Sequence, residues 1–190
     1  GDSEPFDNTL YVAPKNKRES VLPFIGSQTS NDPRAARFYM ERVVSGWKDP
    51  KISITTAEAS WEKSSNTLLL IGETPNNNEA AAIQTFLSNG GTALLLLTNP
   101  SQIQIIESIT GESGWQSPKL NRNYGLFGTI DFEHPVFKIF ADPRYNNFTN
   151  IRFWNANTML APANTEARIL AKFDEGPAAV VEWKVGEGSL

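Results

Sequence analysis

Apolar positions along this chain fall into short blocks separated by polar turns, and the spacing changes between blocks. Leu68, Leu69, Leu70 and Ile71 form a continuous run, as expected of a parallel strand buried on both faces. Gly72 ends it, and the loop Glu73-Thr74-Pro75-Asn76 follows. Asn77 is placed to cap a helix with Glu79 in its first turn and Ala81, Ala82, Phe86 and Leu87 on its apolar face. Asn89-Gly90-Gly91 closes that helix, because glycine accepts the left-handed conformation that follows a helix end. A second apolar run, Ala93 to Leu97, then predicts the next strand. Two buried strands joined by a helix of this length make a right-handed βαβ unit.

The flanking sequence extends the alternation. Thr9 to Ala13 reads as a short strand followed by a polar connector, Pro14 to Ser20, and Val21 to Gly26 reads as the next strand. Asp32 and Pro33 predict a cap and first-turn proline for a helix with Ala36, Phe38, Tyr39, Met40, Val43 and Val44, ending near Gly46. Ile52 to Thr55 is β-branched and strand-like, and Ala57 to Ser65 leaves room for a turn or two of helix. Ser101 is placed to cap a helix carrying Ile103, Ile105, Ile106 and Ile109 and ending at Gly111. The predicted sheet has order 2-1-3-4, counted from the strand at Val21.

From Glu112 onward the pattern changes to strands and irregular loops. Tyr124 to Ile130 and Asn150 to Leu160 read as strands, and His134-Pro135 opens a helical turn reaching Phe140. Arg168 to Phe173 and Ala178 to Val185 flank the turn Asp174-Glu175-Gly176-Pro177 as a hairpin. Residues 1–20 are thus an N-terminal strand and connector, and 21–190 a single α/β domain with an antiparallel C-terminal extension.

Composition narrows the chemistry. At 190 residues, with 39% hydrophobic and 20% charged residues, one ordinary globular domain with a radius of gyration of roughly 16 Å is expected. No apolar run approaches the ~20 residues that span a bilayer. A net charge of −4 argues against nucleic-acid partners, whose binding rests on neutralised phosphates. The absence of cysteine excludes disulfides, thiolate metal sites and a cysteine nucleophile. Gly1-Asp2-Ser3-Glu4-Pro5 has neither a start methionine nor a signal peptide, so a piece of a longer chain is expected. The turn Gly186-Glu187-Gly188-Ser189-Leu190 is expected to lead toward a further strand. That would leave an open edge beside the hairpin and promote weak self-association.

Ligands of open parallel sheets bind beyond the carboxyl ends of the strands. This selects three loops, Ser27 to Asp32, Glu73 to Asn77 and Thr98 to Ser101, each leading toward a helix N-terminus. The candidate ligand-binding residues are Ser27, Asn31, Asp32, Thr74, Asn99 and Ser101, with His134, the one histidine. Caps and turns are the commoner use of such residues, and no glycine-rich phosphate fingerprint is present. A serine hydrolase would need Ser101 as nucleophile, His134 as base and Asp131 to orient it, but the elbow glycines are missing around Ser101. No catalytic residue, metal site or cofactor is therefore assigned. Arg34, Arg37 and Arg42 share one helix, with Arg37 and Glu41 at pairing distance on a solvated face. Tyr145, Phe148, Phe153 and Trp154, interleaved with Arg144 and Arg152, suit either strand packing or a sugar-stacking or partner surface.

Several motifs carry a family resemblance. They are Leu10-Tyr11-Val12, Val21 to Gly26 with Asp32-Pro33, Asn89-Gly90-Gly91, Asp131-Phe132-Glu133-His134-Pro135-Val136-Phe137, Phe140-Ala141-Asp142-Pro143-Arg144, Ile151-Arg152-Phe153-Trp154, and Phe173 to Pro177 with Val185 to Gly188. In these the chain resembles the glutamine-amidotransferase-like domain of aerotolerance-type bacterial membrane proteins. The resemblance implies a flavodoxin-like fold of the class I amidotransferase type. It further implies a longer protein with N-terminal transmembrane helices, a von Willebrand A domain and an extracytoplasmic location. Membrane contact would then come only through segments outside this chain, and the partners would be other protein domains, including its own neighbours. Amidotransferases use a Cys-His-Glu triad, and no residue here matches the nucleophile. The leading expectation is a non-catalytic interaction or sensing domain. The alternatives are a small-molecule or carbohydrate-binding domain using the loops after the parallel strands, and a weak serine hydrolase.

Overall fold

The computed structural model describes residues 19–48, 50–57, 61, 68–154 and 156–190. The expected strand at Thr9 to Ala13 and most of the segment Ala57 to Ser65 lie outside the described residues. A mainly parallel sheet forms the centre. It contains β1 (Glu19–Ile25), β2 (Lys51–Thr56), β3 (Leu68–Ile71) and β4 (Thr92–Leu95), joined by β10 (Lys184–Val185) and β11 (Gly188–Ser189) in the order β10-β11-β4-β3-β1-β2. β1 to β4 pair in parallel in the expected 2-1-3-4 order, which is the flavodoxin-like arrangement.

Alternate residues of β3 explain the two-faced packing. Leu69 and Ile71 join one core with Ile83, Phe86 and Leu87 of α2 (Asn77–Ser88) and Ile106 and Ile109 of α3 (Gln102–Thr110). Leu70 points the other way, with Phe24 and Ile54, toward Met40 and Val44 of α1 (Ala36–Ser45). Successive strand residues face opposite sides, so a continuous apolar run is what a sheet covered by helices on both faces requires. Among the described residues no helix is long and apolar enough to cross a membrane.

The second half adds a separate antiparallel sheet, ordered β6-β8-β9, from β6 (Phe127–Ile130), β8 (Arg168–Phe173) and β9 (Ala178–Glu182). It also adds a two-stranded ribbon of β5 (Tyr124–Gly125) and β7 (Phe153–Trp154), and a short helix α4 (Pro135–Lys138). The expected hairpin forms over Arg168–Phe173 and Ala178–Glu182, but the last part of its expected second strand, Lys184–Val185, leaves it for the central sheet as β10. The expected strand Tyr124 to Ile130 is instead divided between two sheets, and Asn150 to Leu160 contributes only β7 and bridges at Met159 and Leu160. Phe127, Phe148, Phe153 and Phe173 make one aromatic cluster, and burying those rings fixes the path of this segment more than strand propensity does.

Four local expectations are corrected. The N-cap of α2 is Asn76, not Asn77: its Oδ1 accepts from the Asn78 and Glu79 amides at 3.0 Å, while Glu79 Oε2 accepts from Asn76 N–H at 2.8 Å. Asp32 accepts from Arg34 N–H in an Asx turn, and α1 starts only at Ala36 with no side-chain cap. Arg37 is no solvated face residue. Its guanidinium bonds Glu41 at 2.7 Å and Thr56 Oγ1 at 3.0 Å and stacks over Phe24. Finally, Gly188–Ser189 folds back between β4 and β10, and the backbones of Trp183 and Leu190 exchange hydrogen bonds. The side of β10 expected to stand open is therefore filled by the chain itself.

Candidate functional site

β1 lies between β2 and β3 in the sheet, so the chain direction across the sheet reverses there, and the loops after β1 and β3 part to opposite sides. That divergence leaves a crevice at the carboxyl ends of the strands. A cleft of about 350 Å³ occupies it, lined by Gly26 and Ser27 after β1, Thr56 at the end of β2, Glu73 and Thr74 after β3, Glu79 of α2, and Trp61. Across the crevice Glu73 ties the loops together. Its carboxylate accepts from Ser27 N–H at 3.0 Å and lies 3.0–3.1 Å from Ser27 Oγ. Gln28 adds a second tie, donating to Gly72 O at 3.1 Å and accepting from Arg37 N–H at 3.3 Å.

The amide after β1, where the loop of such a sheet would meet an anionic ligand, is thus already occupied by the chain's own carboxylate. Among the described residues no lysine or arginine lines the cleft. Hydroxyls, two carboxylates and an indole remain, a set that offers acceptors and one aromatic wall to an uncharged polar molecule.

Of the residues selected from sequence, Ser27 and Thr74 meet in this cleft. Asn31 and Asp32 are exposed and do not line it. Asn99 and Ser101 belong to a different device. Ser101 has helical backbone angles and makes no side-chain cap, while the fully buried Gln102 reaches back so that its Oε1 accepts from Thr98 N–H at 2.7 Å and Asn99 N–H at 2.9 Å. Asn99 Oδ1 accepts from Ser101 N–H.

His134 caps α4: its Nδ1 accepts from Val136 N–H, which places the proton of the neutral ring on Nε2, facing Glu182 Oε2 at 3.4 Å. The Asp131 carboxylate accepts from the Arg168 guanidinium at 2.6 Å rather than from the His134 imidazole. The hydrolase triad Ser101, His134 and Asp131 is therefore not assembled. Sequence reasoning did not single out Glu73 or Gln28. The signal for Glu73 was its place directly after the glycine that ends β3.

A scan against protein-family models and a search of curated proteins return no match. Among solved structures, the chain resembles a putative ThuA-like protein from Bacteroides uniformis, with 13% identity, 94% of this chain and 82% of that one covered, and a TM-score of 0.54. It also resembles an exo-β-1,4-mannosidase from Opitutaceae bacterium strain TAV5, with 14% identity and a TM-score of 0.50 over 92% of this chain. The chain spans only 30% of that mannosidase. The likeness is one of fold.

Proposed function

We propose that this chain is a non-catalytic sensing domain of a membrane-anchored extracytoplasmic bacterial protein, and that it senses a small, neutral, polyhydroxylated molecule held in the switch-point cleft. The observation that carries this reading is the cleft itself: it sits where the strand order reverses, and Ser27, Glu73, Thr74, Glu79 and Trp61 surround it. Carboxylates accept hydrogen bonds from sugar hydroxyls and an indole face packs against a sugar ring, whereas a phosphate would meet Glu73 where it needs an amide. The fold shared with a ThuA-like protein and with part of a mannosidase chain supports a carbohydrate-type ligand, and the aerotolerance-type motifs support the membrane-anchored setting. A sensing role without chemistry is supported by His134 and Asp131, whose polar atoms face structural partners.

Calorimetric titration of the chain with a panel of neutral mono- and disaccharides tests the reading. Thr74 is exposed on the cleft rim, so Thr74→Trp blocks the cleft without disturbing the core. Binding by the wild type that falls at least tenfold in Thr74→Trp, with unchanged melting, is the expected result. Equal binding by both proteins would place the ligand elsewhere.

A further inference from the structure

The lining of the switch-point cleft is graded from its mouth to its floor. Ser27, Thr56 and Thr74 are exposed and stand at the mouth. Trp61, Glu73 and Glu79 are half-buried and form the middle level. Phe24 is fully buried and Ile25 is 5% exposed, so these two close the floor. A molecule entering the cleft meets hydroxyls first, carboxylates next and apolar side chains last.

Donors and acceptors are unevenly shared among these levels. The Ser27 amide and hydroxyl both donate to Glu73. Thr56 Oγ1 accepts from the Arg37 guanidinium at 3.0 Å, which leaves its hydroxyl hydrogen to donate. Glu79 accepts from the Asn76 amide through Oε2 at 2.8 Å, while among the described residues its Oε1 accepts from no group. A carboxylate oxygen has two acceptor positions and nothing to donate. The middle level therefore holds acceptors in excess, and a ligand that covers them without supplying a donor leaves a charged group desolvated.

We propose that the ligand of this cleft is a sugar bearing an acetamido group, inserted methyl first. This rests on the reading of the cleft as a saccharide site and names the class of saccharide. The methyl meets Phe24 and Ile25, the amide N–H supplies the donor that the carboxylate level lacks, and the sugar hydroxyls stay among the hydroxyls of the mouth. The amide carbonyl takes the spare hydrogen of Thr56, and the Trp61 indole packs on a ring face. Other sugars match fewer levels. A plain hexose puts a hydroxyl against the apolar floor without a partner. An amino sugar supplies donors to the carboxylates but leaves the floor unfilled, and an acidic sugar brings a like charge beside Glu73 and Glu79.

The test is calorimetric titration of the full 190-residue chain with N-acetyl-D-glucosamine and N-acetyl-D-galactosamine, each beside its parent hexose and its free amino sugar. Saturation-transfer NMR of the bound sugar is recorded alongside. The expected result is that at least one acetamido sugar binds at least tenfold more tightly than its hexose and its amino sugar. Its acetyl methyl protons should receive the strongest saturation, and its binding should fall at least tenfold in Thr74→Trp. Equal or tighter binding of the hexoses or amino sugars would overturn the acetamido assignment and leave the cleft a saccharide site, and so would saturation strongest on the ring protons. Acetamido-sugar binding that persists in Thr74→Trp would overturn the cleft reading itself, and binding of none of the six sugars would overturn the proposal outright. The comparison of ligands needs no variant, so it decides the assignment even if Thr74→Trp fails to fold.

Discussion

Replacing Gln102 by leucine should destabilise the fold far more than replacing its neighbour Ser101 by alanine, although Ser101 is the residue that looks like a helix cap. Gln102 is fully buried, and its amide group makes four contacts: Oε1 accepts from Thr98 N–H, Asn99 N–H and Thr98 Oγ1, and Nε2 donates to Leu96 O. Leucine keeps most of the volume and removes all four. Thr98 N–H and Leu96 O keep their bond to each other at 2.9 Å, so the Asn99 amide is left most exposed to the loss. A net hydrogen bond contributes about 1 kcal/mol and an unsatisfied buried group costs about 1–3 kcal/mol. Water reaches the exposed Thr98 and Asn99 and restores part of this, leaving about 2–3 kcal/mol for Gln102→Leu. Ser101→Ala removes no cap hydrogen bond and should stay within ~0.5 kcal/mol, as surface substitutions usually do. Urea denaturation of both variants gives these values, and in a melting experiment the difference corresponds to roughly 5–10 °C at this size. A Ser101→Ala cost equal to that of Gln102→Leu, or a Gln102→Leu cost below ~0.5 kcal/mol, would refute the assignment of loop closure to Gln102.

Trp115 is 5% exposed, and among the described residues its indole N–H has no partner, while the ring packs edge-on against Trp183 at 4.9 Å. Trp115→Phe should therefore cost under ~2 kcal/mol in urea, less than the ~3–5 kcal/mol typical of truncating a buried aromatic, because it also removes an orphaned donor. Gly188→Ala should cost several kcal/mol, since the new methyl would meet the backbone carbonyls of Leu87 and Gly91. Hydrogen exchange should then show early loss of protection at Gly188 to Leu190. The Arg168 guanidinium bonded to Asp131 holds that carboxyl below its ordinary range. A depressed native value means the contribution is present above the unfolded value near ~3.9 and is lost as pH falls through the native one. Asp131→Asn should accordingly flatten the acid limb of stability below about pH 4 relative to wild type, as read by melting temperature against pH. An unchanged limb would remove Asp131 from the account.

The central architecture was legible because β3 wrote its burial on both faces into the sequence as the unbroken run Leu68 to Ile71. The run from Ala93 was also read as a strand of the parallel sheet, although Leu94 is 43% exposed, and the expected order 2-1-3-4 is the one that forms. Caps were read less well. Asn76 rather than Asn77, and Gln102 rather than Ser101, make the bonds, because a side chain one residue away can satisfy the same amide and the choice depends on loop geometry. The return of Gly188–Ser189 into the central sheet left almost no signal, since two residues carry no periodicity and the fit depends on Gly188 packing against the α2 backbone. Of the candidate site, Ser27 and Thr74 were found by the rule that ligands meet strand carboxyl ends. Glu73 was missed because its role rests on a contact to Ser27 across 46 positions, which no local pattern records.

Residue-resolved NMR mapping of a neutral saccharide that binds the chain tests the central claim most directly. The account predicts that the largest amide shifts fall on residues 26–28 and 73–79 and at Thr56 and Ala57, the loops that line the cleft between β1 and β3. Shifts centred instead on Thr98 to Gln102, or around His134 and Glu182, would contradict it.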